Sequence, residues 1–474
     1  MTDPLAIARA ALGDAPAWLV GGVVRDRLLG RATADVDLAV GGDVEAAARM
    51  LARAGRAAVF PLSEEFGAWR VVARRDGWQA DLSPLGGATI EDDLLLRDFT
   101  VNAIAEPIAG GELIDPTGGA VDLAERTLRM ASPRSFERDP LRVMRLPRFA
   151  SELGLVADPA TRMAAAAEAS RLRDVAQERV FAELRRILAS PDPLGGLGLM
   201  HAVGATAAVL PELEALRGVE QSAYHHLDVH DHTLAVLAEA VQLERDPAAV
   251  FGEADGGALA RLLSQPFSDD LTRGTALRFG ALLHDIAKPQ TRGVLDDGRV
   301  SFLDHDRQGA DLSRAILTRL KTSEKLRAHV AALARNHLRL GFLVHERPLS
   351  GRAVHRYLRR CQPVEVDVSL LSVADRLATR GRKADDAIAK HLELARELIG
   401  PALAWDAGER PPTLIRGDQL AAALERDRGP WLAEALYEIE AAQYAGEIAT
   451  REQAIEHARE TLAGGEPHGA DAAR

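Results

Sequence analysis

One cysteine, Cys361, stands in a chain of 474 residues. A lone cysteine forms neither an intrachain disulfide nor a cysteine zinc cluster, and the setting expected for such a chain is a reducing cytoplasm. Aromatic residues are only 4% of the chain, and no apolar run approaches the roughly 18–20 residues that cross a bilayer. The opening stretch MTDPLAIARAALGDAP carries Asp3 and lacks the basic-then-apolar order of a secretory leader, so no membrane partner is expected. Lysine is scarce as well. Only five of the 58 basic residues are lysine, so arginine is the default cation of this chain and not each arginine marks a function.

What is present is the balance of a soluble globular protein, 47% apolar and 27% charged, and it excludes global disorder, collagen-like repeats and a fibrous coil. At roughly 100–200 residues per domain the length implies about two to four domains. The net charge of −12 taken alone speaks against a nucleic-acid partner. The basic residues are clustered, however: seven arginines lie between Arg126 and Arg148 against only Glu137 and Asp139, and residues 307–360 are also basic. A local basic surface on an acidic protein is compatible with RNA.

The first 125 residues alternate short β-like and helical runs. Ala17–Val20, Val36–Val40, Trp69–Ala73 and Trp78–Leu82 read as strands, and Val23–Leu29 and Val44–Ala54 as helices. After Arg126 the strand signals nearly vanish. Asp139–Glu152, Pro159–Ala169 and Val175–Ala189 carry helical spacing, and Pro191, Pro193 and the glycines at 195, 196 and 198 suggest a boundary. Asp246–Arg273 reads as an insertion or long loop, and Gly464–Arg474 as a disordered tail.

Asp35-Val36-Asp37 opens a strand about ten residues after Gly21-Gly22-Val23-Val24-Arg25-Asp26. Residues i and i+2 of a strand share a face, so both carboxylates can hold hard divalent cations side by side, as two-metal phosphoryl transfer requires. The glycine pair lets backbone N–H groups approach phosphate oxygens, with Arg25 close by. Solvated acids at a sheet edge are the plainer alternative. Asp81, on a later strand, is either a third carboxylate or a solvent-facing acid.

The stretch WLVGGVVRDRLLGRATADVDLAV resembles the opening motif of the class II tRNA nucleotidyltransferase and bacterial poly(A) polymerase superfamily. Arg97-Asp98-Phe99-Thr100-Val101-Asn102-Ala103, Leu113-Ile114-Asp115-Pro116 and Arg138-Asp139-Pro140-Leu141-Arg142-Val143-Met144-Arg145, continuing to Arg148-Phe149-Ala150, follow in the family's order. The resemblance implies that Asp35 and Asp37 bind Mg²⁺ that activates an RNA 3′-hydroxyl and neutralises a triphosphate, and that Gly21, Gly22 and Arg25 cradle that triphosphate. Arg97 and Asp98 would contact the ribose. Asp139, a pure acceptor, and Arg142, a forked donor, would read the base edge. Asn102, Arg145 and Arg148 join the expected nucleotide-binding set. Two departures stand out: Arg138 takes the place of an acid before the base-reading aspartate, and Leu96 precedes Arg97 where the family often has a second arginine.

A second constellation is His232, His284-Asp285 and Asp375, set in apolar helical patterns. Burying adjacent His and Asp demands a metal or a hydrogen-bond network, and imidazole with carboxylate suits Mn, Ni, Co or Fe, or Mg where carboxylate dominates. The order His, His-Asp, Asp resembles the HD phosphohydrolase domain. His305 and His337 are candidates for a second ion. His225, His226 and His230 lie near the first ligand, and the His-Thr-Leu context favours His232.

The expected architecture is an α/β nucleotidyltransferase head with a mixed sheet (residues 1–125), an all-α neck for nucleotide and RNA recognition (126–195), an HD-type helical metal domain (200–397) and a helical tail (398–474). The resemblance implies addition of C and A from CTP and ATP to the tRNA 3′ end. The alternatives are an A-adding specialist, a poly(A) polymerase, or an HD phosphohydrolase acting on RNA ends or nucleotides.

Overall fold

The computed structural model describes residues 3–31, 35–63, 66–74, 77–221, 226–380 and 384–463. The chain forms two compact units, residues 1–211 and 212–474. His225 and the 464–474 tail lie outside the described residues.

The first unit is built on a six-stranded mixed sheet. Its strands are β1 (Ala17–Val20), β2 (Asp35–Val40), β3 (Ala58–Ser63), β4 (Ala68–Ala73), β5 (Trp78–Pro84) and β6 (Ala105–Pro107), in the order β3-β4-β5-β2-β1-β6. Only β2 and β5 pair in parallel. Alternation along β2 sends Val36, Leu38 and Val40 into the main core of this unit. Asp35 is exposed and Asp37 half-buried on the other face. The helix Val44–Ala54 covers the apolar face. Asp43 caps it by accepting from Ala46 N, and Ala47, Ala48 and Leu51 are buried. Leu51 is fully buried, so its truncation to alanine costs about 2–5 kcal/mol.

Helices and a short parallel pair, Thr127–Leu128 with Val156–Ala157, complete this unit. Phe99 meets Phe136 and Phe149 edge to face, with ring centroids 6.1 and 5.7 Å apart, which fixes the Arg97–Ala103 segment against the helix Arg142–Leu153. That helix begins three residues later than its spacing predicts. Asp139 is extended, at φ −143° and ψ 101°, as Pro140 after it requires. The glycines at 195, 196 and 198 fall within a helix, Pro193–Ala202. A Cβ on Gly196 would stand 2.7 Å from Ile187, so this glycine permits a close approach between helices.

Among its described residues the second unit is helical, with one small hairpin, Arg292–Val294 paired to Val300–Phe302. The expectation of a loop over 246–273 is corrected: Ala248–Leu263 is helix, burying Phe251, Leu259 and Leu263. Two helices meet there at a kink at Gly252, which has φ +78° and ψ 170°. Apolar burial at helical spacing outweighed local propensity there.

Candidate functional site

The face of β2 that carries Asp35 and Asp37 meets the glycine turn after β1. Gly21 has φ +68°, a conformation that excludes a side chain, and a Cβ on it would lie 3.0 Å from the Arg97 guanidinium and 3.7 Å from Asp37 Oδ2. A Cβ on Gly22 would stand 3.7 Å from the same oxygen. Parallel pairing places Asp37 beside Asp81, whose carboxylate Arg70 clamps with two bonds of 2.7 Å. Burial raises the Asp37 carboxyl above its ordinary value, Asp81 and Asp35 add to the rise, and Arg97 and Arg25 oppose it. An acid pair crowded in this way gains from a divalent cation between its oxygens, so the donor set fits hard cations such as Mg²⁺.

Around the acids stands a frame of arginines, each held by named partners. Arg25 donates to Asn102 Oδ1 at 2.7 Å and to Asp26. Asn102 donates to Asp98 Oδ1 at 3.0 Å, and Arg145 pairs with Asp98 Oδ2 at 2.9 Å. Burial would raise the Asp98 carboxyl, but Arg145, Asn102 and the Phe99 N–H hold it below its ordinary value. Arg97 bonds Asp93. Arg148 pairs with Glu183 at 2.9 Å, and burial pulls its guanidinium down to about 10. Phe149 is the hub, with the guanidinium carbons of Arg25, Arg145 and Arg148 at 5.2, 5.4 and 3.9 Å from its ring centre.

These groups wall a cavity of about 510 Å³, large enough for a nucleotide. Of the residues expected from the sequence, Gly21, Gly22, Arg25, Asp35, Asp37, Arg97, Asp98, Asn102, Arg142, Arg145 and Arg148 all line it. Asp139 does not; its carboxylate pairs with Arg179 at 3.2 Å. Arg142 spends its donors on the carbonyls of Leu96, Arg97 and Ser135 and on Ser135 Oγ. Sequence reasoning missed Asp93, Phe149 and Arg186 on the wall. Arg186 sits on a separate helix, paired with Glu152, and only its place one face from Glu183 on an amphipathic helix hinted at it.

In the second unit five segments converge. His232 lies on the helix Val229–Arg245 and Asp375 on Glu365–Ala378, with Nε2 and Oδ1 3.1 Å apart. His284 caps the helix Arg273–Leu283 and Asp285 follows it; His284 Nε2 is 3.1 Å from Asp285 Oδ2. His305 begins one helix and His337 ends another. Donor atoms of His232, His284 and Asp375 form one compact group, and those of Asp285, His305 and His337 a second. His226 is exposed, and His230 turns to Asp231. Burial would raise the Asp285 carboxyl, yet His284 and Lys288 hold it well below its ordinary value. Burial pulls His337 down to about 4. Imidazoles beside carboxylates in such a cluster fit a divalent transition metal.

Comparisons with known proteins agree with this division. Residues 17–129 match the poly A polymerase head domain, 154–216 a probable RNA and SrmB-binding site of polymerase A, and 229–380 the HD domain. The chain is 38% identical to an A-adding tRNA nucleotidyltransferase of Deinococcus radiodurans over 92% of this chain and 94% of that one. It is 33% identical to a CC-adding tRNA nucleotidyltransferase of Thermus thermophilus, over 92% of each. A solved CCA-adding enzyme in complex with ATP shares its fold, with a TM-score of 0.64 at 20% identity over 97% of this chain and 96% of that one. No described helix is long and apolar enough to cross a membrane. With an α/β head, a helical remainder and relatives matched along nearly their whole length, the chain belongs to the tRNA nucleotidyltransferase family and is an enzyme.

Proposed function

We propose that this enzyme transfers AMP from ATP to the 3′ end of tRNA, the step that A-adding and complete CCA-adding enzymes share. The observation that carries the reading is the cavity in which the Asp35–Asp37 pair faces a frame of arginines. The 3′-hydroxyl oxygen bonds to the α-phosphorus, the α–β phosphoanhydride bond breaks, and pyrophosphate leaves. Asp35 and Asp37 would hold Mg²⁺, which when bound lowers the barrier to hydroxyl ionisation and offsets phosphate charge. Arg25, Arg97 and Arg145 balance the triphosphate, and Gly21 and Gly22 leave the space it needs. Asp98 serves chiefly to orient Arg145 and Asn102, since these and the Phe99 N–H occupy its oxygens. Asp139 reads the base after exchanging Arg179 for a base amino group, with Arg142 as the donor beside it.

In this reading residues 1–125 form the catalytic head, 126–195 the neck that recognises nucleotide and RNA, 200–397 the metal domain and 398–474 the tail. The arginines on Arg142–Leu153 and the RNA-binding match at 154–216 support the role of the neck. The test offers ATP with a tRNA transcript ending in CC, and CTP with one lacking CCA. A addition to the first supports the proposal, and no incorporation overturns it. C addition to the second makes the protein a complete CCA-adding enzyme, and its absence makes it an A-adding specialist.

A second activity is favoured by the cluster of buried His232, His284 and Asp285 with half-buried Asp375. These residues would hold a divalent metal and hydrolyse a phosphomonoester at an RNA or nucleotide end. Release of inorganic phosphate from such an ester, lost in Asp285→Asn, is the expected result.

A further inference from the structure

The segment matched to a probable RNA and SrmB-binding site, residues 154–216, gives the cavity wall one described residue, Arg186. It lies on the helix Gln177–Ala189, about one turn past the buried Glu183 that pairs with Arg148. Its side chain is 50% exposed although it lines the cavity, which puts it at the mouth and not on the floor. Glu152 accepts from its Nε at 2.6 Å and from its Nη2 at 2.9 Å. A pair this exposed adds little to stability, but two bonds to one carboxylate fix the plane of the guanidinium. A guanidinium has a second donor edge, formed by its two Nη atoms, and no described residue accepts from Nη1 here.

The floor is equipped differently. A Cβ on Gly21 would lie 3.0 Å from Arg97 Nη1, and one on Gly22 would lie 3.6 Å from Arg25 Nη2. These two arginines therefore stand against the glycine turn beside Asp37, where the proposed triphosphate needs them. Arg145 turns to Asp98 and Arg148 to Glu183. Arg186 instead offers a pre-set edge at the mouth, from a helix outside the head match at 17–129. An RNA strand that brings its 3′-hydroxyl to the acids has to cross that mouth, and it carries a phosphate at each step. A planar fork matches two phosphate oxygens at once, as an ammonium cannot.

We propose that Arg186 grips a backbone phosphate of the tRNA 3′ strand through this second edge, holding the acceptor end at the mouth while Arg25 and Arg97 hold the triphosphate. The inference rests on tRNA as the proposed substrate. The test measures binding of the full chain to a tRNA transcript ending in CC, without nucleotide, over a range of KCl, and then KM for ATP at saturating tRNA. Arg186→Gln should weaken tRNA binding by about tenfold, the scale of a charge-assisted contact. The slope of log affinity against log salt should shrink by about 0.7, one phosphate's worth on a single strand. KM for ATP should not move, because the contact is made to the other substrate. A rise in KM for ATP with unchanged tRNA binding would put Arg186 on the triphosphate and overturn the proposal.

A second measurement starts from the unsubstituted chain. In a CC-ending acceptor minihelix, an uncharged methylphosphonate is placed at each of the 3′-terminal phosphates in turn. At one of them it should cost affinity, and that cost should vanish in Arg186→Gln. No cost at any position would overturn the proposal even if the variant fails to fold, and addition of A to the CC end by the same chain would leave tRNA standing as the substrate. Neither binding nor addition by the unsubstituted chain would overturn both readings.

Discussion

The two acid clusters of this enzyme solve the same electrostatic problem in opposite ways. In the head, Asp35 and Asp37 sit on one strand face at the edge of a cavity of about 510 Å³, and the opposing charge comes from arginines set back around it. In the helical unit, Asp285 and His284 are 2% and 0% exposed, and the compensating groups touch them directly. The site proposed to admit a triphosphate and an RNA end needs room, so its charges stay separated until the substrate arrives. The cluster proposed to keep metal can be assembled in advance. Backbone carbonyls of Ala281, Phe302 and Ala334 pin the imidazoles of His284, His305 and His337 there, and the low-dielectric surroundings make an uncompensated donor costly.

The largest effect that sharpens this contrast is removal of a head carboxylate. Asp37→Asn should reduce nucleotidyl transfer by at least about a thousandfold, the scale of losing several kcal/mol of metal-assisted stabilisation. The same change should raise the melting temperature of the metal-free protein at neutral pH. The folded carboxyl is raised above its unfolded value, so its ionised form opposes folding at neutral pH, and asparagine removes that opposition. A lower melting temperature would show that Asp37 is structural.

Next in size is Arg148, which breaks the simple picture of a loosely framed head. It is 5% exposed and faces Glu183, itself 8% exposed. Arg148→Met strands a buried carboxylate and should cost about 3–5 kcal/mol in urea unfolding. Adding Glu183→Gln should restore most of that. If the double variant is no more stable than the single one, the arginine acts through Phe149 packing alone.

A smaller, pH-dependent effect belongs to the helical unit. Burial pushes the Glu365 carboxyl up to about 7, and Asp406 adds to the rise. The folded state therefore keeps a proton that the unfolded state has lost between the ordinary glutamate value and about 7, and stability falls as pH rises through that window. Glu365→Gln should flatten the fall, stabilising the protein at pH near 8 more than at pH near 5. Melting curves at both values check it, and equal shifts would contradict it.

The local motifs were legible in the sequence because their chemistry is local. An i, i+2 carboxylate pair, a glycine turn and an adjacent His-Asp each announce themselves within a few residues, and the cavity wall and the buried cluster gather most of them. What stayed hidden depends on distant partners. Arg186 reaches the cavity from another helix, and Phe149 became a hub only when Arg25, far off in sequence, packed on its ring. Asp139 shows the converse. Its motif is plain, but its local extended turn and its pairing with Arg179 decide where the carboxylate points. The helical segment Ala248–Leu263 was obscured by its glycines, of which Gly252 leaves helical geometry and joins two helices at a kink.

The smallest expected effect tests that last arrangement. Arg179 is 56% exposed and its bond to Asp139 is 3.2 Å, so the pair is worth no more than about 1 kcal/mol. If Asp139 leaves Arg179 to accept a base amino group, Arg179→Ala removes the competitor and spares that small cost. KM for ATP should then fall by up to about fivefold with kcat unchanged, because the gain is shared by ground and transition states. Asp139→Asn should act in the other direction, raising KM and weakening the preference for ATP over GTP, since an amide can donate where the carboxylate only accepts. A rise in KM for Arg179→Ala would mean that Arg179 itself meets the nucleotide, and the base would then be read by a pair the neck holds ready, as the helical unit holds its histidines.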